Sequence, residues 1–204
     1  MRKNWRKWNV KTKKKTNCID AYESDLKRFL CSMERLVTRK MLEKIGFFTA
    51  PASSCHHLAV RGGLARHSVN VTRWLERLTE SMNVCWPRGE SLYLVGMLHD
   101  LVKCKCYRFQ NCCAEEKIVR APHPYAGHGE ASVAIIGCEL GVNLYPEEAS
   151  AIIHHMGAFY LQGNELKDYD RALDIYPKQI IAAHTADMLA ARFDEGYDHE
   201  KCLE

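Results

Sequence analysis

Six residues of this 204-residue chain have side chains that could together hold a divalent ion. They are His67, His99, Asp100, His128, His155 and Asp187. Imidazole and carboxylate together suit Mn, Fe, Co, Ni or Zn, and Mg is within range of the carboxylates. Taken singly, none is informative. With ten histidines in the chain, one His–Asp neighbour pair is unsurprising. A lone histidine on an apolar helix face is ordinarily a core histidine with a partner. The set is harder to dismiss, because each member sits where its helix is otherwise apolar or at a glycine-flanked helix end. Burying such groups is costly unless something compensates them, and a metal ion does so. His154, next to His155, competes for the same role. Lys103 brings an amine three residues beyond Asp100.

The elements that must position these residues read as helices. Leu92–Lys103 is almost wholly apolar until His99, so its helix belongs inside the domain. Neighbouring residues on a helix point about 100° apart, so His99 and Asp100 can share an ion only near the helix edge. His67 lies four before Val71 and seven before Trp74, on the apolar face of a helix that follows Gly62 and Gly63. Residues 20–45 have helical spacing and stop at Gly46. Gly127 and His128 open another helix. Pro146, Glu147 and Glu148 start the one that ends in His154 and His155, with acids near the positive end of its dipole. The last spans about Pro177 to Phe193, with His184 and Asp187 on one face, and the chain from Glu195 onward reads as a fraying end. No stretch alternates like a strand. The expected fold is all-α, a bundle of about six or more helices with two long loops, 104–127 and 158–174.

Charge divides the chain. Residues 1–19 hold eight basic residues and no acid, so the net charge of +4 hides a mildly acidic body. The reading is a flexible basic arm over 1–19, a helical domain over 20–196 and a short tail over 197–204. Trp5 and Trp8 in the arm could stack on bases, which makes nucleic acid a candidate partner. No run of apolar residues is long enough to span a membrane, and no apolar segment follows the N-terminal charges as in a signal peptide. The ten cysteines are expected to be free thiols in a reducing, cytoplasmic setting. Cys104, Cys106, Cys112 and Cys113 do not have the spacing of a zinc site.

With these residues in place, the chain resembles the HD-domain superfamily of metal-dependent phosphohydrolases over about residues 40–194. Gly62-Gly63-Leu64-Ala65-Arg66-His67, the pair His99-Asp100 with Lys103, and His184-Thr185-Ala186-Asp187 match its pattern. Gly127-His128-Gly129-Glu130 and His155-Met156-Gly157 match the two histidines added in exoribonuclease-type and HD-GYP members. The resemblance implies a first metal on His67, His99, Asp100 and Asp187. It implies a second on His128 and His155, with Asp100 bridging, or else substrate contacts by those two histidines. Lys103 would face the substrate phosphate, and His57 would line the pocket. The implied reaction is hydrolysis of a phosphoester or phosphoanhydride, of a nucleotide first, by metal-activated water. The absence of a GYP motif argues against cyclic dinucleotides. The alternatives are a single-strand nuclease guided by the basic arm and a non-catalytic nucleotide-sensing module.

Overall fold

The computed structural model describes residues 15–112, 115–125, 127–159 and 161–195. Residues 1–14 of the basic arm, with Trp5 and Trp8, Cys113 and the tail 197–204 lie outside these residues. Among the described residues nine α-helices follow one another: α1 Lys15–Met33, α2 Arg39–Ile45, α3 Gly63–Ser81, α4 Ser91–Leu98, α5 Lys103–Cys106, α6 Gly129–Cys138, α7 Pro146–Ile153, α8 Asn164–Ile175 and α9 Pro177–Leu189. A π-helical turn, Ala190–Asp194, extends α9. The all-α expectation is correct. No helix among the described residues is long and apolar enough to cross a membrane.

Four details differ from the sequence reading. The first long loop contains an antiparallel hairpin, β1 Tyr107–Cys112 with β2 Glu115–Arg120, registered Phe109 opposite Ile118. The second contains α8, in which only Tyr169 is buried. The helical spacing of 20–45 is two helices. Thr38 caps α2, its hydroxyl accepting from the Met41 amide at 3.4 Å, and α2 ends at Gly46. The helix α1 begins at Lys15, within the stretch expected to be arm.

The helices α3, α4, α7 and α9 form the centre, with α1 across α3 and α4, α6 beside α7 and α8 beside α9. Phe29 and Met33 of α1, Leu75 of α3, and Leu94 and Leu98 of α4 are fully buried. Each contributes about 1.5–3 kcal/mol by leaving water.

Two glycines set the close approaches that matter for the site. A Cβ on Gly96 of α4 would stand 2.5 Å from Thr72 Oγ1 and 2.9 Å from Thr72 Cα in α3. Only glycine lets these helices cross so near, three residues before His99 and five after His67. A Cβ on Gly129 would stand 2.4 Å from the Ile153 carbonyl oxygen. The start of α6 therefore lies on the end of α7, beside His155.

The other ends of α4 and α7 are tied together by charge. Glu148 of α7 is fully buried. It accepts from Arg88 Nε and Nη2 at 2.7 Å each, from Ser91 Oγ at 2.7 Å, and from the Tyr145 amide at 2.8 Å. From this tie α4 and α7 each run eight residues, about 12 Å, so His99 and His155 arrive together at the far end. Their rings stand 4.8 Å apart, edge to face.

Candidate metal centre

Four groups with almost no exposure meet at that far end. His67 is 0 %, His99 1 %, Asp100 2 % and His155 1 % exposed. Asp187 reaches them from α9 and His128 from the start of α6. Asp100 stands in the middle. Its Oδ2 lies 3.5 Å from Nε2 of both His67 and His99, and its Oδ1 lies 3.4 Å from His155 Nε2 and in close contact with His128 Nε2. Asp187 Oδ1 lies 3.1 Å from His67 Nε2. All six residues singled out in the sequence are therefore adjacent. His154 is not among them, its ring packing edge-on to Tyr169.

The tautomers decide what this arrangement lacks. The Nδ1–H of His99 donates to the Gly96 carbonyl at 3.0 Å, and that of His155 to the Ile152 carbonyl at 2.7 Å. His67 Nδ1 lies 3.1 Å from both oxygens of Glu195. With Nδ1 donating in all three rings, each Nε2 presents a lone pair. Those lone pairs face one another and two carboxylates. His67 Nε2 is 3.3 Å from His99 Nε2, and the buried His155 Nε2 has no hydrogen-bond partner. Acceptors aimed at acceptors inside a protein are costly, and a cation between them removes the conflict. Three groups, His57–His67–Glu195, His67–His99–Asp187 and His99–Asp100–His155, each bring their ligand atoms within 4.8 Å of one another. This buried His/Asp group could hold a metal ion.

Other positive charge serves the carboxylates in the structure. The Lys103 ammonium closes on Asp100 Oδ2. Burial opposes ionisation of Asp100, but Lys103, His128 and His99 outweigh it and hold the carboxyl well below the usual range. Burial likewise opposes charge on His67, yet Asp187 and Glu195 lift its pKa to about 10. A proton on His67 thus takes the place of a cation. Burial drives the His99 pKa down. That of His155 is raised, Asp100 overcoming burial.

The centre opens into a cleft of about 500 Å³. Lys103, His128 and His57 line it together with Met156, Phe159, Met188 and Arg192. The ring of His57 lies 4.9 Å from that of His67, and burial pushes its pKa down to about 4. His184 does not join the ligand cluster. Its Nδ1 donates to the His155 carbonyl at 2.8 Å, which fixes the turn carrying that residue.

Glu195 is the residue that sequence reasoning missed. Read as part of a fraying end, it is instead a side chain with 1 % exposure against His67. Cys104 and Cys106 stand apart from this cluster. Both are free thiols, and no cysteine among the described residues joins a group able to hold a metal ion. Compared with protein-family models, with curated proteins and with solved structures, the chain finds no match in any of the three.

Proposed function

We propose that the protein is a metal-dependent phosphohydrolase of the HD type, acting on a nucleotide or another small phosphate ester. The observation that carries this reading is the convergence of two carboxylates with three imidazoles whose Nδ1 atoms are already tied down. His67 and His99 face one oxygen of Asp100, and His128 and His155 face the other. His67, His99, Asp100 and Asp187 would hold one ion, and His128 and His155 the other side of Asp100. A divalent ion there supplies a water of near-neutral acidity and offsets charge on phosphoryl oxygens.

The chain's own residues supply the rest. Lys103 stands on Asp100 as a substitute cation. With an ion held on Asp100, the Lys103 ammonium would be free to turn to the cleft and neutralise a substrate phosphate as a point charge. Arg192 lines the same cleft. Phe159 is 78 % exposed there, with Met156 and Met188 also half-open to solvent, an apolar surface unusual beside so many charges. An aromatic ring and thioethers next to cations suit a base attached to a phosphate.

The test is metal analysis of the purified protein, followed by a screen of phosphoesters and nucleotides with Asp100→Ala as control. The proposal expects a bound divalent ion and turnover that the variant loses. A wild-type protein that takes up no divalent ion, or a variant with full activity, sinks it. Turnover of single strands alone, with steep salt dependence abolished by deleting residues 1–19, transfers the reading to a nuclease.

A further inference from the structure

We propose that Glu195 is the positioning residue of the metal centre. It fixes His67 in the Nδ1–H form and so aims the Nε2 lone pair at the ion. The inference rests on the metal reading above and goes beyond it, because Glu195 touches the outer nitrogen of the ring.

The geometry is built for this contact. Asp187 and Glu195 are eight residues apart, which on a regular α-helix leaves them about 80° apart and 12 Å along the axis. The π-helical turn Ala190–Asp194 breaks that regularity. π-Turns of this kind are frequent at functional sites. Trp74 Nε1 of α3 donates to Asp194 Oδ2 at 2.7 Å and anchors the turn. The result is one imidazole held from both sides, with Asp187 3.1 Å from Nε2 and Glu195 3.1 Å from Nδ1.

Glu195 is itself held. Asn70, one turn along α3 from His67, donates from Nδ2 to Glu195 Oε1 at 3.0 Å. Asn70 Oδ1 accepts from Arg73 Nη1 at 3.2 Å, and Arg73 Nε donates to Asp25 Oδ2 at 2.7 Å. A chain of hydrogen bonds thus runs from α1 to the outer edge of the His67 ring. The other two buried histidines have only neutral backbone carbonyls on Nδ1. A carboxylate there makes the imidazole a stronger donor to a metal and locks its plane. His67 is the ligand that receives this treatment, and it is the one facing Asp100, Asp187 and His99 together.

The experiment uses the full chain stripped of metal with EDTA and titrated with Co²⁺, following heat and visible absorption. Glu195→Gln keeps the shape and an acceptor but removes the charge. It is expected to weaken Co²⁺ binding about 10–100-fold at unchanged stoichiometry, with an altered Co²⁺ spectrum. Asn70→Ala, which leaves the carboxylate but loosens it, is expected to show a smaller loss. It remains the readout if Glu195→Gln does not fold. Wild-type affinity in Glu195→Gln, or in Asn70→Ala where that is the readout, overturns the proposal. So does loss of one whole ion from the stoichiometry, which would make Glu195 a ligand. If the wild type binds no Co²⁺, the metal reading fails first, and that result is distinct from either.

Discussion

The two ends of the α4–α7 pair treat buried charge in opposite ways. At the start of the pair, Glu148 meets four donors from Arg88, Ser91 and the Tyr145 amide, so the chain closes its own charge. At the far end, two carboxylates and the Nε2 lone pairs of His99 and His155 meet one ammonium and the rings of His67 and His128. The helices and their lengths are the same, and the burial is comparable. The difference is that donors match acceptors at one end and acceptors outnumber donors at the other. A buried charge matched by the chain serves the fold. A surplus of acceptors is a site waiting for something from solution.

The comparison can be broken first at the open end. Asp100→Ala removes the carboxylate that four imidazoles face and is expected to lower turnover by about 10⁴-fold, roughly 5.5 kcal/mol of barrier. Circular dichroism should show the helices intact, because the ligands do not build the fold. At the closed end the effect reverses. Glu148→Ala leaves the Arg88 guanidinium without its partner, and breaking a buried pair of this kind costs about 3–5 kcal/mol. Arg88 keeps 19 % exposure, so the lower figure is expected from urea unfolding. A cost below 1 kcal/mol would mean that Glu148 is not what joins α4 to α7.

A third measurement compares the ends without mutation. A divalent ion at 100 times its dissociation constant should stabilise the wild type by about 2.7 kcal/mol. The gain should vanish in Asp100→Ala and survive in Glu148→Ala. An ion that stabilises all three proteins equally binds somewhere else. Lys103 gives a smaller effect that separates binding from chemistry. Lys103→Met should lower turnover about 10–100-fold while leaving the ion bound, since removing the substitute cation only exposes Asp100 to it. Weaker ion binding in this variant would argue against the substitution of one cation for the other.

The open end was legible in the sequence because its signals are local. His67 and Asp187 fall on apolar faces by helical spacing, and His99–Asp100 ends an apolar run. The closed end was half legible. Glu148 reads as an acid in a first helical turn, and nothing near it in sequence points to Arg88, sixty residues earlier. Glu195 was illegible for a different reason. It lies beyond the last apolar position of the final helix, past a π-turn that no local pattern in the sequence marks. The hairpin and α8 escaped because neither buries an apolar stripe. Of α8 only Tyr169 goes inside. The break before α2 was missed because Leu36 and Val37 continue the apolar spacing of α1 across the turn that Thr38 closes.

The smallest effect tests whether burial, rather than pairing, separates the two ends. Arg39 Nε and Glu43 Oε1 form an ion pair at 2.9 Å on α2, with the side chains 60 % and 53 % exposed. Here water already solvates both charges, so the pair neither closes a deficit nor leaves one. Glu43→Ala is expected to change unfolding stability by no more than about 0.5 kcal/mol, with the contribution fading as salt rises. Ion binding at the centre should not move. A loss near that of Glu148→Ala would show that pairing itself carries the stability. The contrast between the two ends would then have to rest on geometry instead of on access to water.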